Sequence, residues 1–256
     1  MPTNRELYAY LDSVIPKSLS CDWDNDGLMC CNMPDSGVRR LLITLDITDD
    51  VIEYAKSAGF DTIISHHPLI FKGIKALNAE NGVSKRLFAL IDGNITAMSF
   101  HTRLDAVTDG VNDALSEVLE LTGVRAFYSE GVSIGRVGEL QRPMNPGELA
   151  LFIKNKLHAP YVNFNGGRDV IKTLAVLGGA GKDEITAALQ TGAQAYLTGE
   201  LGHHALTDAA DYDITLFEAG HHFTEFPVCK TLEKRIKNRF PEIITEIYNS
   251  YGIKTV

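Results

Sequence analysis

The sequence has few of the features that mark secreted, membrane-spanning or disulfide-stabilised proteins. Its 256 residues include four cysteines, and the spacing of Cys21, Cys30, Cys31 and Cys229 contains no CxxC pair. This favours a set of reduced thiols over a disulfide framework. No apolar run of 18 residues occurs, and the N-terminal residues lack the basic and apolar regions of a signal peptide. We therefore expect a cytoplasmic protein without a membrane partner.

Positive charge is also scarce. The chain has 24 Lys and Arg against 33 Asp and Glu, which gives a net charge of −9, and no basic run stands out. This argues against nucleic acid as a partner, because duplex binding needs a broad basic face. An anionic small molecule remains compatible with an acidic chain if a metal ion reverses the local field. Hydrophobic residues make up 45% of the sequence, as in an ordinary globular protein.

A strand–helix–strand pattern occurs twice, and the two copies are 133 residues apart. Short apolar runs predict the strands, helical spacing of apolar residues predicts the helices, and a glycine ends each helix. Leu41 corresponds to Leu174, and Gly59 corresponds to Gly192. The predicted elements are a strand over 39–46, a helix over 47–59 and a strand over 61–65, then 171–179, 180–192 and 193–198. The pattern predicts an α/β protein with a largely parallel sheet in each half, the first half over 1–125 and the second over 126–256.

The segment between the two copies predicts a different local structure. Residues 131–160 are rich in glycine and proline, which indicates a hairpin followed by a helix that opens at Pro146. The amphipathic stretch 228–240 predicts the last helix.

Histidine and carboxylate residues follow the predicted strands of both copies. His66 and His67 follow one strand of the first copy, and the pattern H-x-x-x-[D/E] follows a later strand in each copy, as His101 to Asp105 and as His221 to Glu225. Each motif taken alone is common on protein surfaces, since His and Glu four residues apart also form ordinary helix pairs. Ligands gather at the carboxyl ends of strands in α/β sheets. If the halves pack about a pseudo-twofold axis, these side chains converge on a metal site.

The adjacent pair His66-His67 predicts two metal ions. Neighbouring residues on a straight strand point to opposite faces, so each histidine would serve its own ion where the strand ends. Pro68 favours an extended conformation at His67 and would fix its direction.

Two further motifs leave alternatives open. In TGELGHH (198–204), His204 is either a proton carrier or substrate contact at the same cleft, or a residue of a helix surface. The stretch LGGAGKDE (177–184) lacks the spacing of a P-loop, and it is either an anion cradle at a helix N-terminus or a plain tight turn.

Five stretches resemble the Ngg-interacting-factor-three-like family, whose bacterial members are called GTP cyclohydrolase I type 2 homologues. The stretches are WDNDGL (23–28), SHHPLIFKGIKAL (65–77), FHTRLDAVTDGVNDAL (100–115), TGELGHHAL (198–206) and EAGHHFTE (218–225). The resemblance covers the chain from end to end and corresponds to the compact form, without an inserted domain. It implies two intertwined α/β repeats with mixed sheets flanked by helices, assembled as a toroidal homo-hexamer.

The resemblance also implies a dinuclear metal site. Its ligands carry over to His66, His67, Asp105, His221 and Glu225, and either Glu225 or Asp105 would bridge the ions. His101 and His204 match histidines near the metals, and we assign them to proton transfer. The two divalent ions could be zinc, iron, manganese or nickel. Arg103 stands where the family often has asparagine, which predicts an altered charge at the central cavity.

Two functions follow from these expectations. The first is a metal-dependent hydrolase that acts on a nucleotide or a related small molecule, with water activated by the metal pair. The second is a non-catalytic metal-binding scaffold or metal-handling protein that acts through partners. Turnover of a nucleotide distinguishes the first from the second.

Overall fold

A computed structural model describes residues 1–165 and 169–254, with residue 210 described by its backbone only. The chain forms two compact units. The first unit consists of Met1–Leu104 and Cys229–Ile253, and the second consists mainly of Asp105–Val228. The segment after Val228 thus returns to the unit that contains the N-terminus.

The strands and helices of the described residues are numbered in chain order. The strands are β1 (Gly27–Cys30), β2 (Arg40–Thr44), β3 (Thr62–Ser65), β4 (Thr96–Ser99), β5 (Thr122–Ser129), β6 (Val132–Met144), β7 (Asn163–Asn165), β8 (Ile171–Ala180), β9 (Ala195–Glu200), β10 (Thr215–Glu218) and β11 (Ile244–Ile247). The α-helices are α1 (Asn4–Val14), α2 (Asp49–Ala58), α3 (Gly82–Asp92), α4 (Thr102–Ala106), α5 (Val111–Val118), α6 (Pro146–Leu157), α7 (Ile185–Gln190), α8 (His203–Thr207), α9 (His221–Glu225) and α10 (Val228–Arg239). Short 3₁₀ turns occupy Lys17–Leu19, Lys182–Glu184 and Asp208–Tyr212.

Each unit is built on one mixed sheet. The sheet of the first unit has the order β1-β4-β3-β2-β11, in which β1 is antiparallel to β4 and the other neighbours are parallel. The sheet of the second unit has the order β5-β6-β8-β9-β10-β7, and its strands β8, β9 and β10 are parallel. The predicted α/β class, with mixed sheets flanked by helices, is confirmed.

Three parallel strands of each sheet, β2, β3 and β4 in the first and β8, β9 and β10 in the second, share an order and a register. Leu41 pairs with Thr62 in the first sheet, and Leu174 pairs with Ala195 in the second, so the register is preserved by the shift of 133 residues. An antiparallel edge strand lies beside the third parallel strand in both sheets, β1 beside β4 and β7 beside β10. The repeated strand–helix–strand pattern of the sequence is therefore present in the structure.

Local sequence explains where several helices begin and end. Thr48 caps α2 by accepting a hydrogen bond from the Val51 N–H, and Gly59 ends the same helix in the left-handed conformation with φ of 70°. Asn145 and Glu148 form a capping box around Pro146, so α6 begins where the sequence predicts. The segment predicted as a hairpin instead holds one long strand, β6, which pairs in antiparallel fashion with β5, a strand that precedes the predicted segment.

Three elements differ from the sequence prediction. The strand predicted over 39–46 ends at Thr44, which leaves Leu45 and Asp46 in the following loop. The helix predicted over 180–192 is a 3₁₀ turn followed by the short α7, because a glycine-rich stretch precedes it. The one-turn helices α4 and α9, which follow β4 and β10, were not predicted, and they carry the two H-x-x-x-[D/E] motifs except for His101, which directly precedes α4.

The parallel strands are buried between helices in both units. In the first unit, Leu42, Ile63 and Ala97 of neighbouring strands pack with Val51 and Ile52 of α2. In the second unit, Leu174 and Val176 of β8 lie in one core cluster, and Ala175 and Leu177 lie in another. Alternate residues of β8 therefore face opposite sides of the sheet, and both sides are covered. None of the helices in the described residues is long and apolar enough to cross a membrane.

Candidate metal centre

Three histidines come together in the first unit at the carboxyl ends of adjacent parallel strands. His66 and His67 follow β3, and His101 follows β4. The ring centroids are 4.9 Å apart for His66 and His67, 5.3 Å for His66 and His101, and 5.7 Å for His67 and His101. One ring nitrogen from each lies within 4.8 Å of the others. This spacing suits ligands of a single cation or of a closely spaced pair.

Backbone hydrogen bonds explain why two adjacent histidines reach the same place. After β3 ends, the His66 N–H donates to the Thr44 carbonyl at 3.2 Å, and the His67 N–H donates to the Leu45 carbonyl at 2.9 Å. Both residues thus remain attached to the chain that follows β2, although they lie beyond the regular strand. The bend there brings together two neighbouring side chains that would point to opposite faces of a straight strand.

Each of these histidines is oriented through Nδ1. Nδ1 of His66 donates to the Phe100 carbonyl at 2.9 Å, and Nδ1 of His67 donates to Oδ1 of Asp46 at 2.8 Å. Nδ1 of His101 donates to Oδ1 of Asp24 at 3.0 Å. Because all three acceptors are oxygens, the proton belongs on Nδ1 and Nε2 is the ring nitrogen that would ligate a metal. A carbonyl or carboxylate behind each imidazole is the usual support of a metal-ligating histidine.

Asp24 also fixes the start of α4. Its Oδ2 accepts hydrogen bonds from the Thr102 N–H at 3.1 Å and from the Thr102 hydroxyl at 2.7 Å, and its side chain is fully buried. Burial raises the pKa of Asp24, but the hydrogen bonds from His101 and Thr102 outweigh it and hold the pKa below its ordinary value. Asp24 is therefore an ionised carboxylate behind His101.

The second unit contains a histidine and a carboxylate on the one-turn helix α9. Nε2 of His221 lies 3.2 Å from Oε1 of Glu225, and Nδ1 of His221 lies 3.2 Å from Oε1 of Glu200 at the end of β9. Glu225 is only 4% exposed, whereas Glu200 lies at the surface. The helical spacing of four residues brings His221 and Glu225 to one face. His221 thus has a carboxylate behind it, as His67 and His101 do.

Glycines make room for this pair. A Cβ at Gly179 would overlap Oε1 of Glu225, and a Cβ at Gly199 would lie 2.7 Å from Cα of His221. Gly179 also has a φ of 75°, which glycine adopts without strain. The strand ends of β8 and β9 therefore approach α9 closely because they carry no side chain there.

The glycine-rich stretch over 177–184 is not an anion cradle at the amides of its first two glycines. The Gly178 N–H donates to Oδ1 of Asn112 at 2.9 Å, and the Gly179 N–H donates to Oγ1 of Thr224 at 3.0 Å. The helix that follows, α7, has six residues. The observed role of these glycines is close packing against α9.

The other predicted site residues are Asp105, His204 and His101, and in the second unit a carboxylate oxygen of Asp105 lies within 4.8 Å of one of Glu225. Asp105 is half-buried on α4, and its carbonyl accepts a hydrogen bond from Nδ2 of Asn112 at 3.1 Å. His204 is exposed on α8, with its ring centroid 5.5 Å from that of His203. His101, which we assigned to proton transfer, lies in the same group as two of the predicted ligands.

Arg103 faces the interior of the first unit and does not change the charge of an open surface. Its side chain is fully buried, and it forms ion pairs with Asp12 at 2.6 Å and Asp26 at 3.2 Å. Its guanidinium also lies 4.5 Å above the Phe100 ring. Our expectation that Arg103 alters the charge of a cavity is therefore not met, because two carboxylates neutralise it.

The sequence did not single out Asp46 or Asp24 as supports of the histidines. Asp46 follows the second strand by two residues, a position at which a carboxylate meets the end of the neighbouring strand. Asp24 lies in the WDNDGL stretch, far from His101 in sequence. A carboxylate just after a buried strand was the only local signal for Asp46.

The chain is similar to known proteins over almost its whole length. Residues 2–252 match the family described as Duf34/NIF3 (NGG1p interacting factor 3). A protein of Clostridium perfringens named GTP cyclohydrolase 1 type 2 homolog is 30% identical over 239 residues, 91% of each chain. Protein NIF3 homolog of Schizosaccharomyces pombe is 31% identical over 235 residues, 86% of this chain and 84% of that protein.

Solved structures show the same fold. The crystal structure of Staphylococcus aureus protein SA1388 has a TM-score of 0.91 and 28% identity, and the match covers 100% of this chain and 99% of that one. Reduced HcgD from Methanocaldococcus jannaschii has a TM-score of 0.83 and 27% identity, with 98% of each chain covered. With a family match that runs from residue 2 to residue 252, this chain belongs to the Duf34/NIF3 family.

Proposed function

We propose that this protein is a metal-dependent hydrolase with a dinuclear centre, and that its substrate is a nucleotide or a related small molecule. The ligands in this proposal are His66, His67, Asp105, His221 and Glu225. They come from both compact units, so the proposal keeps the pseudo-twofold packing that the sequence predicts. It also keeps the toroidal homo-hexamer.

The observation that carries the proposal is the support behind each imidazole. His66, His67 and His101 each donate from Nδ1 to an oxygen of the first unit, at 2.8 to 3.0 Å. Histidines that serve only packing have no need of a common tautomer or of convergent Nε2 atoms. Three rings with that arrangement fit a divalent ion that accepts imidazole nitrogen, such as zinc, iron, manganese or nickel.

The residues of the second unit supply the negative charge that such ions need. Glu225 is buried beside His221, and Glu200 lies behind the same ring. A buried carboxylate is costly unless it is paired with a cation or accepts hydrogen bonds. A divalent pair bound by these groups would supply Lewis acidity and a hydroxide nucleophile near neutral pH. Glu225 would neutralise charge, Glu200 would hold His221, and His204 would carry protons from solvent.

The nucleotide substrate rests on the names of relatives. Several of the most similar proteins are named GTP cyclohydrolase 1 type 2 homolog, including those of Clostridium perfringens and Clostridium acetobutylicum. For this chain the name supports a purine nucleotide as the first compound to test. Function does not follow from fold, so the test must measure the reaction itself.

The first experiment measures metal content and turnover on the same preparation. Elemental analysis should give two divalent ions per chain, and light scattering should give a particle of about six times the 28.1 kDa chain mass. The metal-loaded protein is then incubated with a panel of nucleotides and phosphoesters. Turnover should be lost in Glu225→Gln and kept in the matched control Glu53→Gln, since Glu53 is exposed on α2.

Each outcome of this experiment has a separate meaning. Turnover that survives in Glu225→Gln argues against the assigned centre. Two tightly held ions without turnover of any compound favour the metal-binding scaffold that acts through partners. A chain that retains no divalent ion after purification and reconstitution contradicts both functions. A particle smaller than six chains would contradict only the proposed hexamer.

A further inference from the structure

Two aromatic side chains are exposed beside the histidine group of the first unit. Trp23 is 63% exposed and Phe71 is 46% exposed. Their ring centroids are 6.0 Å apart with an angle of 67° between the planes. Both contact His101 edge to face, Trp23 at 6.1 Å and Phe71 at 6.3 Å between centroids. We call Trp23 and Phe71 the aromatic corner.

The aromatic corner is rigidly supported although its rings are exposed. The backbone beside Trp23 is held by Asp24, which binds Thr102, and by Asp26, whose Oδ2 accepts from the His101 N–H at 3.1 Å. The loop of Phe71 is tied to the same segment, because Nδ2 of Asn25 donates to the Ile70 carbonyl. Such cross-links would be unnecessary for a surface loop whose apolar residues are exposed by chance.

The surroundings of the corner indicate which ligand it suits. Two aromatic rings at a steep angle can both contact one planar group, one ring through its face and the other through its edge. Lys72 and Lys75 follow Phe71 on the same exposed loop, in a chain whose net charge is −9. These two ammonium groups would pair with the charged group of an anionic ligand. The corner also adjoins His101, so a ring bound there would sit next to the proposed metal centre.

We propose that Trp23 and Phe71 form a stacking subsite for a planar nitrogen heterocycle that carries a negatively charged group. This inference rests on the proposed function in one respect, because it takes the histidine group as the reactive centre. It adds the residues that would hold the ring of the substrate, and it assigns the lysines of the loop to the charged part. Base stacking on aromatic side chains is tolerant of base identity, so the subsite selects rings over ringless phosphates.

The test uses the intrinsic fluorescence of Trp23, which is the single tryptophan of the chain. Metal-free full-length protein is titrated with guanosine 5′-monophosphate and, separately, with ribose 5-phosphate, which lacks the ring. Metal is removed so that binding of phosphate to metal does not contribute. We expect quenching by the guanosine compound at concentrations roughly tenfold or more below those at which ribose 5-phosphate acts.

Variants separate the subsite from a general effect. Phe71→Ala keeps Trp23 and should weaken binding of the guanosine compound roughly fivefold or more. Tyr128→Ala is the matched control, since Tyr128 is 59% exposed on β5 of the second unit, and its affinity should equal that of the wild type. Trp23→Ala is followed by calorimetry and should lose at least as much affinity as Phe71→Ala.

Two results on the wild-type protein would overturn the subsite. One is equal affinity for the two compounds in the wild type. The other is a failure of acrylamide to quench the Trp23 fluorescence of the ligand-free protein, because a second copy of the chain would then cover the aromatic corner. Because binding is measured without metal and without turnover, the ring can bind even if the protein hydrolyses none of the compounds. If the protein hydrolyses a nucleotide but Phe71→Ala binds the guanosine compound as tightly as the wild type does, the subsite is contradicted and the proposed function is not.

Discussion

Asp46 and His67 come from the ends of neighbouring parallel strands, and Oδ1 of Asp46 accepts the Nδ1 proton of His67 at 2.8 Å. The carboxylate lies two residues after β2 and the imidazole two residues after β3. Parallel strands make this pairing possible, since their carboxyl ends lie at one edge of the sheet. The same fold feature that brings the candidate ligands together therefore also supplies the group that orients His67.

Replacement of Asp46 should weaken metal binding without unfolding the protein. Asp46→Ala removes the acceptor of His67, so the ring can rotate and change tautomer, and metal affinity should fall by roughly 10- to 100-fold. Asp46→Asn keeps an acceptor oxygen without the charge, so its metal affinity should lie between that of the wild type and that of Asp46→Ala. Isothermal titration with zinc measures the affinities. Asp92→Asn is the control, because Asp92 forms an exposed ion pair with Lys56. An Asp46→Ala variant with wild-type affinity would show that this carboxylate does not support a ligand.

Gly179 should tolerate alanine far less well than Gly192 does. Both have left-handed backbone, with φ of 75° and 79°. A Cβ at Gly192 meets nothing within 4 Å, whereas one at Gly179 overlaps Glu225. Gly192→Ala should therefore cost only the backbone strain, about 1–2 kcal/mol in the free energy of unfolding.

Gly179→Ala should add roughly 1–3 kcal/mol to that strain through overpacking, and it should reduce metal content because Glu225 must move. Urea unfolding and elemental analysis of both variants measure the two effects. Equal losses of stability in the two variants would mean that Glu225 is not held against the β8 strand end.

The strands of the repeat were predictable because burial on both faces leaves a simple signal. All four residues of β3, from Thr62 to Ser65, are buried, and the sequence there is a short apolar run between polar residues. The edges of the sheets gave no such signal. β1 has one buried residue among four, and β11 has none, so their membership depends on pairing with distant strands.

The ligand types were also visible in the sequence, but their supports were not. His66, His67 and His221 stand out because histidines clustered after apolar runs are uncommon. Asp24 is one of many carboxylates in an acidic chain, and it meets His101 only through the fold, 77 residues away in sequence. The helical placement of His221 and Glu225 was obscured because α9 is a single turn, too short to show helical periodicity.

Removal of the buried Arg103 charge should strongly destabilise the first unit. Arg103→Met leaves Asp26 buried beside an apolar side chain, with Lys17, Ser20 and the His101 N–H as its remaining partners. Loss of one partner from a buried ion pair costs about 3–5 kcal/mol in unfolding free energy, and the remaining partners should keep the cost near the lower end. Urea unfolding measures it. Arg5→Met is the control, since the Arg5–Asp35 pair is exposed to solvent and should contribute little to the free energy of unfolding. A loss as small as that of Arg5→Met would mean that Arg103 is not a buried anchor.

The role of His101 can be decided by separating metal binding from turnover. Its ring lies with those of His66 and His67, with ligand atoms within 4.8 Å, and Asp24 orients it from behind. A histidine in this position is predicted to ligate the metal, so His101→Ala should lower zinc affinity by at least about tenfold. His158→Asn is the control, because His158 ends α6 in a left-handed conformation that asparagine also adopts.

Thermal unfolding in excess zinc and in chelator gives an independent measure of the same role. A ligand that binds only the folded chain stabilises it by about 2.7 kcal/mol at 100 times its dissociation constant. The gap between the two melting temperatures should therefore be large in the wild type and in His158→Asn, and it should shrink in His101→Ala. A variant that keeps the full gap while turnover falls would instead assign His101 to proton transfer. Its imidazole would then act on the substrate from beside the metals rather than hold one of them.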